Sequence, residues 1–494
     1  MPSRSRTSLA PRISLALLAF AAGTAAAQDK AANTQVRVVR AGSIHPGDGP
    51  VIEDGVIVIE GERIRALGPA ARVDIPSGAD VLSFPDAHVY PGLVDALTDA
   101  FTDDATRRDG SRDAGIELSS ALMLRGDRQD ELLRAGITTA YVGSNAQSLW
   151  RGIGSIVRPR ANGFDIREQR AAVQARATAG AAASHGLERL GAIEGLDRQF
   201  EGLDAYEKGF RDFEKALENY EKDRKAWLDH FRKREGTGAG NGAPPEGQRP
   251  SRNLRPGPPG GTRAKGEEPG TSRPSAGGQA PSEKPEEKGG AKEEPKAPAK
   301  PTYPKKPARD PQKDALLAIR NGELPLRLEA LRGDEIRRAL RLASERKVSV
   351  ILEGCWAAAP LAREIARAGV PVVLTATDAG DIPDLREFEG IDPASLPGAL
   401  HEAGVSFAIA TGGAARAPGL RLMAASAVGG GLPEEEALEA ITLMPARILG
   451  IEKDAGSIAP GKLADLVVCD RPLFASDSRI LCVLSAGRKE YEAK

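Results

Sequence analysis

Short runs of β-branched and other apolar residues predict most of the regular structure in this chain. Between residues 36 and 82, three such runs are separated by turn residues, which is typical of a small antiparallel sheet. These runs are Val36–Val39, Val56–Ile59 and Ile64–Leu67. The C-terminal segment, from Ala464–Cys469 onward, returns to the same strand character.

After Pro91, strand-like and helix-like patterns alternate along the chain. The strand candidates are Ile137–Val142, Leu326–Leu328, Val348–Leu352, Val370–Leu374 and Val405–Ala410. Helical patterns lie between the later strands, as in Asp334–Glu345, where Ile336 and Leu340 share a face. Repeated βα units with nearly continuous apolar strands predict a parallel sheet, open or closed.

A long amphipathic helix is predicted over residues 203–231. Its apolar residues follow a spacing of three and four, broken once by Arg224, and its other face is dense in Lys and Glu. The apolar positions are Leu203, Tyr206, Phe210, Phe213, Leu217, Tyr220, Trp227 and Phe231. Two interpretations stay open: the stripe packs against the protein's own core, or it is a surface for a partner.

Residues 241–310 differ in composition from the rest of the chain. They hold 15 Pro and 11 Gly, and Leu254 is their only large aliphatic residue. Such a segment cannot bury enough apolar surface to offset its chain entropy, so we predict a disordered insertion.

The N-terminus predicts export. A basic stretch that includes Arg4, Arg6 and Arg12 precedes the apolar run Ile13–Ala22, and Ala25–Ala27 supplies small residues for cleavage before Gln28. The run is about half as long as a membrane span requires. We therefore expect residues 1–27 to be a signal peptide, no membrane span after its cleavage, and a periplasmic or secreted protein.

Composition narrows the function classes. The 494 residues include 68 Lys and Arg against 69 Asp and Glu, a net charge of −1, which argues against a general nucleic-acid binder. Three cysteines cannot build a disulfide framework. The five histidines are few, and no two have a spacing typical of metal ligands along the chain, so we interpret all five as ordinary surface or core residues.

Five segments together resemble the amidohydrolase superfamily, most closely its imidazolonepropionase-like branch. In chain order they are Gly55–Gly68 (GVIVIEGERIRALG), Tyr90–Asp95 (YPGLVD), Ala135–Thr139 (AGITT), Leu438–Gly450 (LEAITLMPARILG) and Gly456–Val468 (GSIAPGKLADLVV). The resemblance implies an α/β fold, a (β/α)8 barrel with a small side β-sandwich. The sandwich would take residues 30–88 and 455–494, and the barrel residues 89–240 and 311–454, with the insertion between them.

The resemblance also implies one or two divalent metals at the carboxyl ends of the barrel strands, where such barrels place their chemistry. This chain departs from the family's ligand pattern. Leu97 and Asp99 stand at the two histidine positions of strand one, Glu329 stands near that of strand five, and Gly412 replaces the aspartate of strand eight. Strand six ends in Glu353-Gly354-Cys355 instead of a histidine. No cofactor is therefore expected.

The acids Asp99, Glu329 and Glu353 are nevertheless candidate catalytic residues at the barrel mouth. Three carboxylates suit a hard cation such as magnesium or calcium, and two can perform acid–base chemistry if one pKa is raised. The other interpretation is that they are solvated, or paired with Arg332. Cys355 is a candidate reactive thiol without a predictable histidine partner. Cys469 and Cys482 either form a disulfide or pack as small apolar residues.

Three functional hypotheses follow. In the first, the chain is an exported, degenerate amidohydrolase that has lost the metal site and binds an unidentified small molecule or protein. Assembly of the chain into a homo-oligomer is compatible with this hypothesis. In the second, it is an active hydrolase of non-peptide C–N bonds, such as cyclic amides, which uses a divalent metal and the mouth carboxylates or other ligands. A third role, as an interaction protein, depends on the long helix and the insertion. Whether the chain is an enzyme stays open.

Overall fold

The computed structural model describes residues 36–102, 113–124, 128–144, 148–177, 194–236, 299–375, 392–413 and 419–493. The predicted signal peptide, residues 241–298 of the predicted insertion and His185 lie outside these ranges. The chain divides into two units. One comprises residues 1–200 and 310–494, and the other residues 201–309. Within the described ranges, no helix is long and apolar enough to cross a membrane.

The strands in the described part of the chain all belong to the first unit. They are β1 (Val36–Ile44), β2 (Ile52–Glu60), β3 (Arg63–Pro69), β4 (Asp80–Pro91), β5 (Leu93–Thr98), β6 (Ile137–Val142), β7 (Trp150–Arg160), β8 (Gly163–Arg176), β9 (Leu326–Ala330), β10 (Val350–Gly354), β11 (Val372–Thr375), β12 (Phe407–Ala410), β13 (Leu466–Cys469), β14 (Ile480–Ser485) and β15 (Arg488–Glu492).

The α-helices of the described ranges flank the strands or, in one case, form the second unit. They include α1 (Arg128–Arg134), α2 (Leu203–Gly236), α3 (Pro311–Arg320), α4 (Gly333–Arg346), α5 (Ala362–Ala368), α6 (Leu396–Glu402), α7 (Leu420–Gly429), α8 (Glu434–Glu439) and α9 (Leu443–Ile448).

An eight-stranded sheet, in the order β12-β11-β10-β9-β8-β7-β6-β5, forms a nearly closed barrel. Its two end strands meet, because the N–H of Gly412, just after β12, donates to the carbonyl of Leu97 on β5 at 2.9 Å. The pairs β5–β6 and β8 through β12 are parallel. This arrangement confirms the predicted barrel class and brings the carboxyl ends of those strands to one mouth.

One barrel strand, β7, departs from the all-parallel pattern. It pairs antiparallel with both β6 and β8. Arg160 of β7 pairs with Gly163 of β8, so only Ala161 and Asn162 connect the two strands. A two-residue connection makes a hairpin, whereas a parallel crossover needs a dozen residues or more. The third and fourth strand positions of the barrel are therefore filled by a β-hairpin, which the sequence patterns did not reveal.

Both ends of the described chain contribute to a second, seven-stranded sheet in the order β15-β14-β13-β4-β1-β2-β3. The predicted strands Val56–Ile59 and Leu466–Cys469 thus lie in the same sheet. Buried apolar residues from six of its strands form one core. The turn at Gly487, after β14, lies against the turn at Gly61, where an added Cβ on Gly487 would be 2.5 Å from the Gly61 carbonyl oxygen. The sheet therefore curls on itself around a sandwich-like core.

Helix α2 belongs to the second unit and begins at the predicted residue, Leu203. Aromatic rings contact one another along it, as in Tyr206 and Phe210, whose centroids are 5.1 Å apart. Tyr220 also contacts Tyr303 of the same unit at 5.2 Å. These contacts involve part of the aromatic stripe. They do not distinguish packing against the protein's own core from a surface for a partner, so both interpretations stay predictions.

Candidate functional site

Neighbouring strands place three charged side chains side by side at the barrel mouth. Arg176 ends β8 and pairs in register with Glu329 of β9, which in turn pairs with Glu353 of β10. Residues paired in register on adjacent strands point to the same face of a sheet. The structure therefore brings Glu329 and Glu353 to one layer of the mouth, at the strand ends predicted from the sequence.

Glu329 lies between two arginines. Its carboxylate oxygens are 2.8 Å from Arg151 Nη2 and 2.7 Å from Arg176 Nη2. Burial alone would raise the pKa of Glu329, but the two guanidinium charges and their hydrogen bonds hold it below its usual value. Glu329 is therefore ionised at neutral pH. The sequence interpretation named Arg332 as a partner, but Arg332 pairs with Glu335 at 3.8 Å.

Glu353 is buried and paired inside the barrel. One of its oxygens accepts a hydrogen bond from Arg327 Nε, and the other accepts one from Gln174 Nε2 at 3.0 Å. The Gln174 amide is itself oriented, because its oxygen accepts from the N–H of Ser144 at 3.0 Å. Both carboxylate oxygens of Glu353 are thus engaged by side chains of the chain itself.

The Arg327 guanidinium connects its own strand, β9, to three others, β5, β6 and β10. Besides Glu353, it donates through Nη2 to the carbonyl of Ala96 at 2.7 Å. It also lies over the ring of Tyr141, with 4.0 Å between Cζ and the ring centroid, where the π-face attracts a cation. Burial raises the pKa of Tyr141, so this phenol stays neutral. An arginine and an aromatic ring therefore fill the space below the mouth carboxylates.

Asp99 occupies a different position at the mouth. It is 1% exposed, and its carboxylate lies 4.0 Å from Arg128 Nη1 of α1. Its main-chain carbonyl accepts from both the N–H and the hydroxyl of Thr102, each at 3.0 Å. These two bonds form a turn just after β5.

At the junction of the end strands, Asp95 holds the loop after β12. Its Oδ1 accepts from the N–H of Thr411 at 3.0 Å and that of Leu97 at 3.2 Å, and its Oδ2 lies 2.5 Å from the Thr411 hydroxyl. Burial raises the pKa of Asp95 to about 6, although the hydrogen bonds from Thr411 act in the opposite direction. Leu97 and Gly412 meet through the main-chain bond that closes the barrel.

Comparisons with known proteins now assign the fold. The model of the amidohydrolase family matches residues 320–489, which run from the end of α3 to β15. Over these residues the chain is similar to the amidohydrolase family. An amidohydrolase from Thermotoga maritima MSB8 aligns over 92% of this chain and 100% of its own, with a TM-score of 0.63 at 17% identity. The superfamily resemblance is thus confirmed, while the imidazolonepropionase-like branch stays a prediction.

Other amidohydrolase-fold structures align more loosely. A prolidase complexed with N-methylphosphonate-L-proline covers 93% of this chain and 100% of its own, with a TM-score of 0.48 at 15% identity. An adenosine deaminase from Xanthomonas campestris with bound zinc covers 92% of each chain, with a TM-score of 0.42 at 17% identity. No curated relative matches the chain.

The residues at the mouth of this amidohydrolase barrel do not fit the metal centre of the superfamily. Zinc and related ions take imidazole and carboxylate ligands that converge on one point. Here Leu97 and Gly412 offer no side-chain donor, and Glu329 and Glu353 direct their oxygens at arginines and an amide. Across the described ranges, no three His, Cys, Asp or Glu side chains are grouped closely enough to hold a metal.

The cysteines are inert in this arrangement. Cys355 is fully buried, and its pKa is raised well above the usual value, chiefly by burial and then by the Glu353 and Glu335 charges. A thiol that stays protonated is a poor nucleophile. Cys469 and Cys482 are free and buried, and Cys482 packs in the core of the second sheet. The structure therefore shows Cys469 and Cys482 packed as small apolar residues and not joined in a disulfide.

Two of the histidines form a pair that the linear spacing concealed. His45 Nε2 and His88 Nδ1 are 3.4 Å apart, on the seven-stranded sheet and not at the barrel mouth. They come together because β1 and β4 are parallel neighbours, with Ser43 opposite His88. The two rings are therefore neighbours in space although they are 43 residues apart in the sequence. His401 lies on α6, 3.5 Å from Glu436.

The sequence interpretation missed the arginines of the mouth. Arg151 and Arg176 belong to the unpredicted hairpin β7–β8, so nothing indicated that they reach the barrel interior. Arg327 carried a detectable signal. In Leu326–Ala330, the alternation places Arg327 on the same face as Glu329, opposite the three apolar residues. A charged residue on the inner face of a barrel strand predicts an internal ion pair, since buried charges require partners.

Proposed function

We propose that this chain is an exported member of the amidohydrolase superfamily whose barrel mouth binds a ligand without hydrolysing it. The ligand is a small molecule or a protein. One observation carries the proposal: Glu329, at a ligand position of the superfamily, is held between Arg151 and Arg176. Both carboxylate oxygens of its neighbour Glu353 likewise accept hydrogen bonds, from Arg327 and Gln174.

The chemistry of these pairs disfavours hydrolysis. Attack on an amide needs an activated water, supplied by a metal or by a general base whose pKa lies near the working pH. The pKa of Glu329 is lowered by its two arginines, so it is a weak base. Asp95 has a suitable pKa of about 6, but it is 0% exposed and bonded to Thr411 and Leu97. Neither Glu329 nor Asp95 is therefore suited to remove a proton from an attacking water.

The proposal is tested by assaying the purified chain with cyclic amides, substituted ureas and dipeptides, with and without added zinc or manganese. We expect no turnover above the uncatalysed rate under any of these conditions. Thermal unfolding in the presence of the same compounds should identify at least one that raises the unfolding midpoint and is recovered intact, since a ligand that binds only the folded state stabilises it.

Glu329→Gln and Glu353→Gln serve as matched variants in this experiment. Turnover that is abolished by a chelator and by either substitution would show that the mouth is an active hydrolytic centre, and the proposal would then be wrong. A complete lack of stabilising compounds would contradict the binding role.

Export is proposed from residues 1–27, which have the composition of a signal peptide. Expression in a bacterial host, followed by cell fractionation and N-terminal sequencing, tests this. We expect the mature chain in the periplasmic fraction with Gln28 as its first residue. A chain that keeps its first 27 residues in the cytoplasmic fraction would exclude export by this route.

A further inference from the structure

The histidine pair on the seven-stranded sheet has the geometry of a metal site. Ser43 Oγ lies 2.7 Å from His88 Nδ1 and 3.3 Å from His45 Nε2, and the two ring nitrogens are 3.4 Å apart. Two nitrogens bound tetrahedrally to one zinc ion, at about 2.0–2.1 Å each, are about 3.3–3.4 Å apart. The two rings therefore already have the separation that a shared metal ion requires.

The surrounding sheet fixes this geometry. His45 stacks on Tyr90, with ring centroids 4.3 Å apart and an angle of 14° between the planes. The main-chain N–H of His45 donates to the carbonyl of Val89 at 2.8 Å, and Ser43 pairs in register with His88. Ligands that are held in place before binding lose little conformational freedom when the ion arrives.

The pair opens onto a cavity of about 370 Å³. Glu53 and Asp86 line this cavity together with the histidines, and among the lining residues that the structure describes there is no lysine or arginine. The cavity gives a hydrated ion a path to the ring nitrogens, and its carboxylates favour a cation over an anion.

We propose that His45 Nε2 and His88 Nδ1 bind a divalent transition-metal ion of the zinc class, with water completing the coordination and the Ser43 hydroxyl bonding to that water. Imidazole nitrogens select zinc, copper and nickel over magnesium and calcium. The site is separate from the barrel mouth and does not depend on the function proposed for that mouth. With two imidazole ligands, it is an exchangeable site and not a structural centre with four protein ligands.

The test is a calorimetric titration of the full-length, chelator-treated protein with zinc chloride. We expect saturable binding of one zinc per chain. His45→Asn and His88→Asn should each weaken it by more than about tenfold, since removal of a direct ligand exceeds the effect of outer contacts on metal affinity. His401→Asn is the matched control for histidine loss, and Glu329→Gln is the control for the barrel mouth. Both should bind zinc as the parent chain does.

A second measurement needs no substitution and so avoids variants that fail to fold. Cobalt(II) added to the parent chain should give the visible absorption bands of a site with nitrogen ligands and low coordination number, and zinc should displace them. The proposal would be overturned if these bands were absent or if the parent chain bound no zinc. It would also be overturned if the two histidine variants bound zinc as tightly as the parent chain does. Loss of zinc in Glu329→Gln instead would assign the metal to the barrel.

Discussion

At the scale of single residues, the barrel mouth is built from guanidinium–carboxylate pairs. Glu353 and Arg327 are 1% and 0% exposed. Such a pair loses hydration as it gains attraction, so its net contribution to folding is small, whereas the loss of one partner leaves a buried charge. Glu329 and Glu353 thus neutralise the arginines beside them at the mouth.

This coupling between Arg327 and Glu353 is measurable in a double-mutant cycle. Arg327→Met should lower the free energy of unfolding by about 3–5 kcal/mol, because it leaves Glu353 buried without its cation. Adding Glu353→Leu should recover much of that loss, since the double variant has no unpaired charge at this position. Urea denaturation of the parent chain, the two single variants and the double variant measures the coupling energy. Additive effects of the two substitutions would contradict the buried-pair interpretation.

Asp95 predicts a pH dependence of stability. Burial raises its pKa to about 6 from 3.8, so between these values the folded chain keeps a proton that the unfolded chain releases. The stabilisation is complete below pH 4 and is lost as the pH rises through 6, by up to about 3 kcal/mol for two pKa units. Asp95→Asn should remove this component. Urea midpoints between pH 4 and 7 test it, and parallel pH profiles for parent and variant would contradict it.

The sequence predicted the positions of the mouth acids but not their environment. Glu329 and Glu353 end apolar strands, so the register of β9 and β10 was enough to place them together. Their partners come from distant parts of the chain. Gln174 is 179 residues away from Glu353. No local pattern encodes such a contact, so the sequence offered only catalytic carboxylates, solvated carboxylates or a pair with Arg332.

At the scale of elements, the hairpin β7–β8 is the main departure from the family barrel. Its strands are 11 and 14 residues long and antiparallel, whereas the predicted barrel pattern requires parallel strands joined by crossovers. Sequence patterns predicted β6 and β9 to β12, because their apolar runs are short and bounded, whereas β5 was indicated only by the family resemblance of Tyr90–Asp95. The hairpin escaped because Trp150–Arg160 mixes glycine, arginine and apolar residues, although nearly all of that strand is buried.

Gly154 shows how the hairpin is fitted to its neighbour. An added Cβ there would lie 2.2 Å from the Tyr141 hydroxyl oxygen and 2.4 Å from Cζ of the same ring. Gly154→Ala should therefore lower the free energy of unfolding by about 1–3 kcal/mol, because the rigid ring must move in a packed barrel. Gly195→Ala is the matched control, since an added Cβ there meets nothing within 4 Å. Thermal unfolding compares the two, and equal midpoints would contradict this fit.

At the scale of the first unit, the two sheets are joined through a buried ion pair. Arg158 of β7 donates to Asp465 Oδ1 at 2.5 Å and to the Ser485 hydroxyl at 3.2 Å. The same carboxylate oxygen accepts from the N–H of Ala486 at 2.7 Å. The sequence predicted strands near both chain ends, but only the three-dimensional arrangement shows that Asp465 and its neighbours connect the second sheet to the barrel.

Asp465→Asn should therefore destabilise both sheets together. Arg158 and Asp465 are 2% and 4% exposed, and loss of the carboxylate charge leaves the guanidinium buried without an anion, at a cost of about 3–5 kcal/mol. Asp54→Asn is the control, because Asp54 pairs with Arg40 at 3.0 Å but is 66% exposed, so its loss should change stability by less than about 0.5 kcal/mol. Hydrogen exchange of strand amides in β13 and β7 should accelerate in parallel in the first variant. Acceleration in β13 alone would mean that the two sheets unfold independently and that this ion pair does not couple them.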